Sequence, residues 1–222
     1  IKGGADVNFK LDDWNPLHSA ARNNQMELVR MLIERGGDVN ASRKSGATPL
    51  YEALMNGSLD MISLLIKSGA DINFDTGDGM TVLLFVANDK KRLNMEEKGK
   101  LLIKAGADVN KVSEDGYSPL IAAVKTNKPK LVSTLLQYGA NKDFKKKMGK
   151  TAWDYALEND LFSIAQMLAG GTRSGLESRM RQAQSQVETF RRQVQQAQQN
   201  FNQAKYQVQE ADRQYEEADN QA

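Results

Sequence analysis

The chain has no cysteine and a single histidine among its 222 residues. Disulfides, thiolate metal sites and a cysteine nucleophile are therefore excluded, and His18 has no second imidazole or thiol to work with. An excess of either charge is missing too. Thirty Lys and Arg stand against 28 Asp and Glu, a net of +2, so no global field points to nucleic acid or to a membrane surface. No apolar run approaches the roughly 18–20 residues needed to span a bilayer. No charged-then-apolar opening reads as a signal peptide. The first letters, "IKGG", fall in the middle of a pattern, and we expect a fragment. The lack of thiols fits a cytoplasmic protein. What is present, 40% apolar residues, suffices for a core in one or two domains.

The dominant feature is self-similarity, the signature of repeat architectures. "GGADVN" at 3–8 returns as "GGDVN" at 36–40, "GADIN" at 69–73, "GADVN" at 106–110 and "GANKD" at 139–143. A second marker runs in phase: "NPLHSAA" from Asn15, "TPLYEAL" from Thr48, "TVLLFVA" from Thr81, "SPLIAAV" from Ser118 and "TAWDYAL" from Thr151, at intervals of 33, 33, 37 and 33 residues. Thr, Ser or Asn before Pro-Leu suits a helix N-cap followed by a first turn. Ala20, Ala21, Ala53, Ala87, Ala122, Ala123 and Ala156 allow close helix approach. A second run in each unit, such as "ELVRMLIER" at 27–35, repeats its apolar residues at helical spacing, and the following Gly is free to stop the helix with positive φ. Each unit predicts helix, turn, helix and an extended hairpin. No unit covers its own apolar face, so the units must stack.

This pattern resembles the ankyrin repeat family over residues 1 to about 170. The resemblance implies an all-α fold, an ankyrin-repeat solenoid of helix-turn-helix units with β-hairpin loops, here one partial unit plus five in a domain over 1–171. Three departures stand out. Between Phe9 and Trp14 one residue is missing and Asp13 replaces the hairpin Gly. The third unit carries four extra residues within 88–100, which predicts either a longer helix or a charged loop. The last unit reads as a polar cap. The family places the His18 position in a hydrogen-bonding role within the repeat. It also places partners on the concave side, at hairpin tips and exposed faces of first helices. Carried over by motif, the positions before each helix-opening residue are Trp14, Ala47, Met80, Tyr117 and Lys150. The facing positions on the first helices are Arg22, Asn23, Met55, Asn56, Lys125 and Thr126. We take Trp14, Arg22, Asn23, Met55, Met80, Tyr117, Lys125 and Lys150 as candidate partner-binding residues, since Trp, Tyr, Met and Arg are enriched in interface cores. Trp14 and Tyr117 have a competing use in packing on the next hairpin.

Other motifs point nowhere catalytic. "KKKMGKT" at 145–151 ends like a phosphate-binding loop, but Phe144 stands where the first Gly belongs. "DTGDG" at 75–79 lacks calcium-loop spacing and reads as a hairpin tip. Lys145, Lys146, Lys147 and Lys150 read as a solvated hairpin, with a phosphate or acidic-peptide contact as the alternative. We expect no enzyme, no cofactor and no metal.

Beyond a joint at 172–175, residues 176–222 form a second region. It has no Gly or Pro. Met180, Val187, Val194, Phe201, Val208, Tyr215 and Ala222 recur every seven residues, and Ala183, Phe190, Ala197, Ala204, Ala211 and Ala218 fall three after the first six. A heptad held this long predicts a coiled-coil helix. From Arg173 to Arg192 the net charge is +3, and from Gln193 onward it is −3. An antiparallel copy matches plus to minus, which points to a homodimer through the tail. Fold-back onto the repeats, parallel pairing and disorder stay open. The function these features suggest is a non-enzymatic protein-interaction module or scaffold in the cytoplasm. The alternative is a fragment of a secreted bacterial effector, acting in host cytoplasm, or of a larger enzyme or regulator whose catalytic domain lies outside this chain.

Overall fold

A computed structural model describes the chain except residues 1–5, 76, 93, 147–148, 171–172 and 220–222. Ala222 is thus outside the described residues, as are the side chains of Ala183, Tyr215 and Ala218. Two compact units result, Ile1–Leu168 and Ala169–Ala222.

The first unit contains five helix pairs: α1 (Pro16–Arg22) and α2 (Met26–Glu34), α3 (Pro49–Asn56) and α4 (Leu59–Lys67), α5 (Val82–Asn88) and α6 (Met95–Lys104), α7 (Pro119–Lys125) and α8 (Pro129–Gln137), α9 (Ala152–Glu158) and α10 (Phe162–Leu168). Every first helix starts as its sequence dictates. The side-chain oxygens of Asn15, Thr48, Thr81, Ser118 and Thr151 accept from the backbone N–H three residues on, at 3.0–3.3 Å, which satisfies one of the free donors of the first turn. Pro16, Pro49 and Pro119 occupy the opening turn.

The helices build two layers. Helices α1, α3, α5, α7 and α9 pack one on the next, and α4, α6, α8 and α10 do the same beside them. Leu17, Leu50, Leu83 and Leu120 occupy equivalent buried positions, with Trp153 taking that place in the last unit. Each such burial contributes about 1.5–3 kcal/mol. The seven alanines singled out in the first helices are fully buried. Gly36, Gly69, Gly106, Gly139 and Gly170 close the second helices with φ between 83° and 100°, a conformation that Gly adopts without Cβ strain.

Of the four extra residues of the third unit, three lengthen a loop and one lengthens a helix. Six residues, 89–94, separate α5 from α6, against three between α1 and α2, and α6 gains only one residue over α4. Asp89 organises this loop: its carboxylate accepts from the N–H groups of Lys91 and Arg92, both at 2.8 Å, and pairs with the Arg92 guanidinium. Burial alone pushes this carboxyl up, but the two N–H groups and Arg92 outweigh it and hold it below its usual range.

The hairpins between units are turns rather than strands. Among the described residues there is no strand, and the sole β-bridge joins Leu11 to Trp14. The tips are too short for a ladder: Arg43 donates to Ala47, Ser113 to Tyr117 and Lys146 to Lys150 at 3.0–3.1 Å, and the same three residues accept from Gly46, Gly116 and Gly149 at 2.6–2.8 Å. Asp13 fills the hairpin-glycine position with φ 71°, close to 78° at Gly46 and 77° at Gly79.

Units are joined at their ends by the asparagine of "GADVN". Asn8 donates to the Gly36 carbonyl at 3.0 Å and accepts from Asp38 N–H at 2.8 Å. Asn40, Asn73 and Asn110 repeat the same two bonds to the next unit.

The second unit contains α11 (Arg173–Asp219), 47 residues long, or about 70 Å at 1.5 Å per residue. It begins within the four residues read as a joint. Met180, Val187, Phe190, Val194, Phe201 and Val208 are exposed, Val194 at 51% and Phe201 at 64%, and Ala197, Ala204 and Ala211 are exposed with them. Among the described residues, no helix is long and apolar enough to cross a membrane.

Candidate functional site

The hairpins and the first helices carry two clusters of aromatic and cationic side chains. The first is centred on Trp14. Arg43 lies over its ring, with the guanidinium carbon 4.0 Å from the ring centre, and Arg22 lies at 5.4 Å. Both guanidiniums meet one carboxylate, Glu52, at 3.3 Å from Arg22 and 3.0 Å from Arg43. The Glu52 side chain is only 3% exposed. A carboxylate so buried costs several kcal/mol unless paired, so the two arginines are fixed by Glu52 and in turn frame the indole. Stacking of this kind contributes about 0.5–2 kcal/mol.

His18 stands edge-on to Trp14 at 6.1 Å. It is buried, with Nε2 3.1 Å from the Ala47 carbonyl and Nδ1 2.6 Å from the Asn15 side chain. Burial lowers its pKa below the usual 6.5, against the opposing pull of the Ala47 carbonyl and Glu52. The ring hydrogen-bonds Asn15 in its own unit and Ala47 in the next; the family resemblance implied a hydrogen-bonding role within the repeat, and the contact to Ala47 extends it to the neighbouring unit. Beside Trp14 an open groove of about 560 Å³ is walled by Phe9, Leu11, Asn15, Pro16 and Ser19.

The second cluster is centred on Tyr117. Lys125 Nζ donates to its hydroxyl at 2.7 Å and sits 4.4 Å from its ring centre. Lys146 Nζ lies 3.5 Å from the same ring. Lys125 is also 5.5 Å from the Tyr155 ring, and Lys150 lies 5.9 Å from it. Hydrogen bonds from Lys125 and then Lys146 lower the Tyr117 pKa. Lys150 pairs with Glu158 at 2.6 Å.

The structure thus gathers Trp14 with Arg22, and Tyr117 with Lys125, while Lys150 joins the second group through Tyr155. Met80 is half-buried in the hairpin between the two clusters, its N–H bonded to Asp78. Met55 is half-buried near the end of α3, and Asn23 is exposed after α1. Two of the carried-over positions are spoken for. Ala47 is buried with its carbonyl facing His18, and the Thr126 hydroxyl donates to the Ala87 carbonyl at 2.6 Å. Arg43, Glu52, Lys146 and Tyr155 were not legible as site members. Lys146 had a signal in its lysine run, but Glu52 had none, since its partners lie 30 and 9 residues away. Asp75, in the turn with calcium-like letters, spends its carboxylate on the N–H groups of Gly77 and Gly79 and on Lys111.

Stacked helix pairs joined by hairpin turns define a helical-repeat solenoid. The pattern of ankyrin repeats matches residues 1–76 and 83–177 in three copies, and the chain belongs to the ankyrin repeat family. Such repeats mark a protein–protein interaction module. Among curated proteins the chain is similar to the 2-5A-dependent ribonuclease of Homo sapiens, with 38% identity over 50 residues, which are 22% of this chain and 7% of that protein.

Proposed function

We propose that the chain is a non-enzymatic, cytoplasmic adaptor with two parts: a repeat domain over 1–171 that binds a protein partner on its hairpin side, and a helix over 176–222 that pairs with a second copy. The observation that carries the first part is the pair of aromatic–cation clusters at equivalent hairpin positions, Trp14 and Tyr117. These side chains are half-buried and held in place before any partner arrives, which reduces the ordering cost of binding. Trp14, Arg22, Asn23, Met55, Met80, Tyr117, Lys125 and Lys150 contribute to the contact. The second part rests on the exposed heptad face of α11, from Met180 through Val187, Phe190, Val194, Ala197, Phe201, Ala204 and Val208 to Ala211, with Ala183, Tyr215 and Ala218 continuing the same spacing.

The test of the first part is alanine substitution against a protein captured from lysate. Trp14→Ala, Met80→Ala or Tyr117→Ala should weaken capture by more than about 1 kcal/mol for at least one of the three. Lys67→Ala and Gln137→Ala, on the second helices, should leave it unchanged. The reverse pattern would place binding on the other layer. The similarity to part of a ribonuclease favours a second reading, in which the array is the recognition part of a longer protein with its own catalytic domain. Nuclease activity in the full-length protein, absent from this chain, would support it.

A further inference from the structure

Lys125 and Lys146 both converge on Tyr117, and this geometry fits a ligand. The two ammonium groups lie 4.4 and 3.5 Å from one ring centre. The ring's quadrupole attracts each of them, but two like charges so close repel. The neighbouring cation has a carboxylate: Lys150 pairs with Glu158 at 2.6 Å. Lys125 and Lys146 have only aromatic and phenolic partners among the described residues. The Tyr117 hydroxyl accepts from Lys125, so its own hydrogen remains to be donated elsewhere. Two ammonium groups and one phenol, on three half-buried residues, therefore meet at one ring with no carboxylate partner of their own among the described residues.

We propose that Tyr117, Lys125 and Lys146 form a receptor for a carboxylate in a short acidic segment of the protein partner, an assignment that rests on the hairpin-side binding reading above. One carboxylate oxygen takes the Tyr117 hydroxyl hydrogen and the ammonium groups share the other, all as charge-assisted hydrogen bonds. The positive field is confined. Glu114 and Asp115 stand exposed on the Tyr117 hairpin, Glu158 holds Lys150, and Asp154 is bonded to Thr151 in the cap of α9. A nucleic-acid backbone needs an extended basic track, whereas the basic charge here is Lys125, Lys146 and Lys150 with Lys145 exposed beside them, interleaved with these acids. A single glutamate or aspartate with its neighbour fits it.

The test uses the intact chain with an end-blocked hexaglutamate peptide, hexaglutamine as the uncharged control, and a phosphoserine peptide and a poly-uridine oligonucleotide as rival anions, read by calorimetry at low and high salt. The expected result is that hexaglutamate binds, binding weakens with salt, and hexaglutamine does not bind. Lys125→Gln combined with Lys146→Gln should lower the affinity at least tenfold. Tyr117→Phe, which keeps the ring and removes only the hydroxyl, should lower it several-fold, and Lys104→Gln on α6 should have no effect. Unchanged binding in the double variant, failure of hexaglutamate to bind, or tighter binding of either rival anion would overturn the assignment. These outcomes separate from the reading beneath them. If lysate capture depends on Trp14 and Met80 while the peptide ignores the lysines, the receptor fails and hairpin-side binding stands. If the peptide needs the lysines but capture maps to Lys67 and Gln137, hairpin-side binding fails.

Discussion

His18 shows how one residue can be read for chemistry and be used for packing. Its ring lies between the Asn15 side chain and the Ala47 carbonyl, so it ties the start of α1 to the next hairpin. The groups facing it are Asn15, Ala47, Trp14, Glu52 and Arg43, and burial is the largest cause of its lowered pKa. A pKa lowered on folding means that the unfolded chain takes up the proton first as pH falls below 6.5. Stability from this group is therefore complete above pH 6.5 and is lost as pH drops toward the folded value. Asp75 and Asp89, both held below their usual range of 3.8, are lost only in stronger acid. Urea midpoints should fall between pH 7.5 and pH 5.5 in the native chain. A His18→Gln variant should be weaker at pH 7.5 but flat across that window. A parallel decline in both would assign the pH dependence to another group.

Between elements, the joints are made by polar letters. Asn40 donates to Gly69 at 3.0 Å and accepts from Asp71 at 2.7 Å, so a single side chain brackets two units. Each bond adds about 0.5–1.5 kcal/mol. Asn40→Ala should cost about 1–2 kcal/mol, and Asn40→Asp, which keeps the acceptor and loses the donor, should cost less. Thermal denaturation checks both, and an unchanged melt for Asn40→Ala would mean that helix packing alone joins the units. Helix starts were legible because Thr, Ser and Asn before Pro-Leu have one local use, and each cap forms within three residues. The asparagine bracket was half legible: the letter repeats in four units, but its partners lie 28–35 residues on. Lys98 and Lys128 were not legible. Both are buried and donate to helix-end carbonyls of preceding helices, Lys98 to Leu54 at 2.8 Å and Lys128 to Val86 at 2.7 Å, an arrangement that a polar letter on a second helix or just before one does not announce. The hairpin clusters were legible as positions, because the period fixes which residue precedes each cap. Their geometry was not, since Arg43 and Lys146 reach the rings from neighbouring units.

For the whole molecule, we propose a partner-binding repeat array followed by a helix that pairs with a second copy. The heptad spacing of α11 gives large residues at one seam position and, apart from Phe190, alanines at the other, a pattern that would let paired helices approach closely, and exposed opposite charges would add about 0.2–1 kcal/mol per pair. The +3 and −3 halves repel in a parallel pair and attract in an antiparallel one. The absence of cysteine makes cross-linking clean. The most direct measurement combines light scattering with cross-linking on chains carrying Gln193→Cys or Gln207→Cys, two exposed positions on α11. The intact chain should scatter at twice its 24.7 kDa, and a chain ending at Gly171 as a monomer. In a mixture, chains with Gln193→Cys should link to chains with Gln207→Cys in preference to their own kind. An intact chain that stays monomeric, or cross-links confined to like positions, would contradict antiparallel pairing.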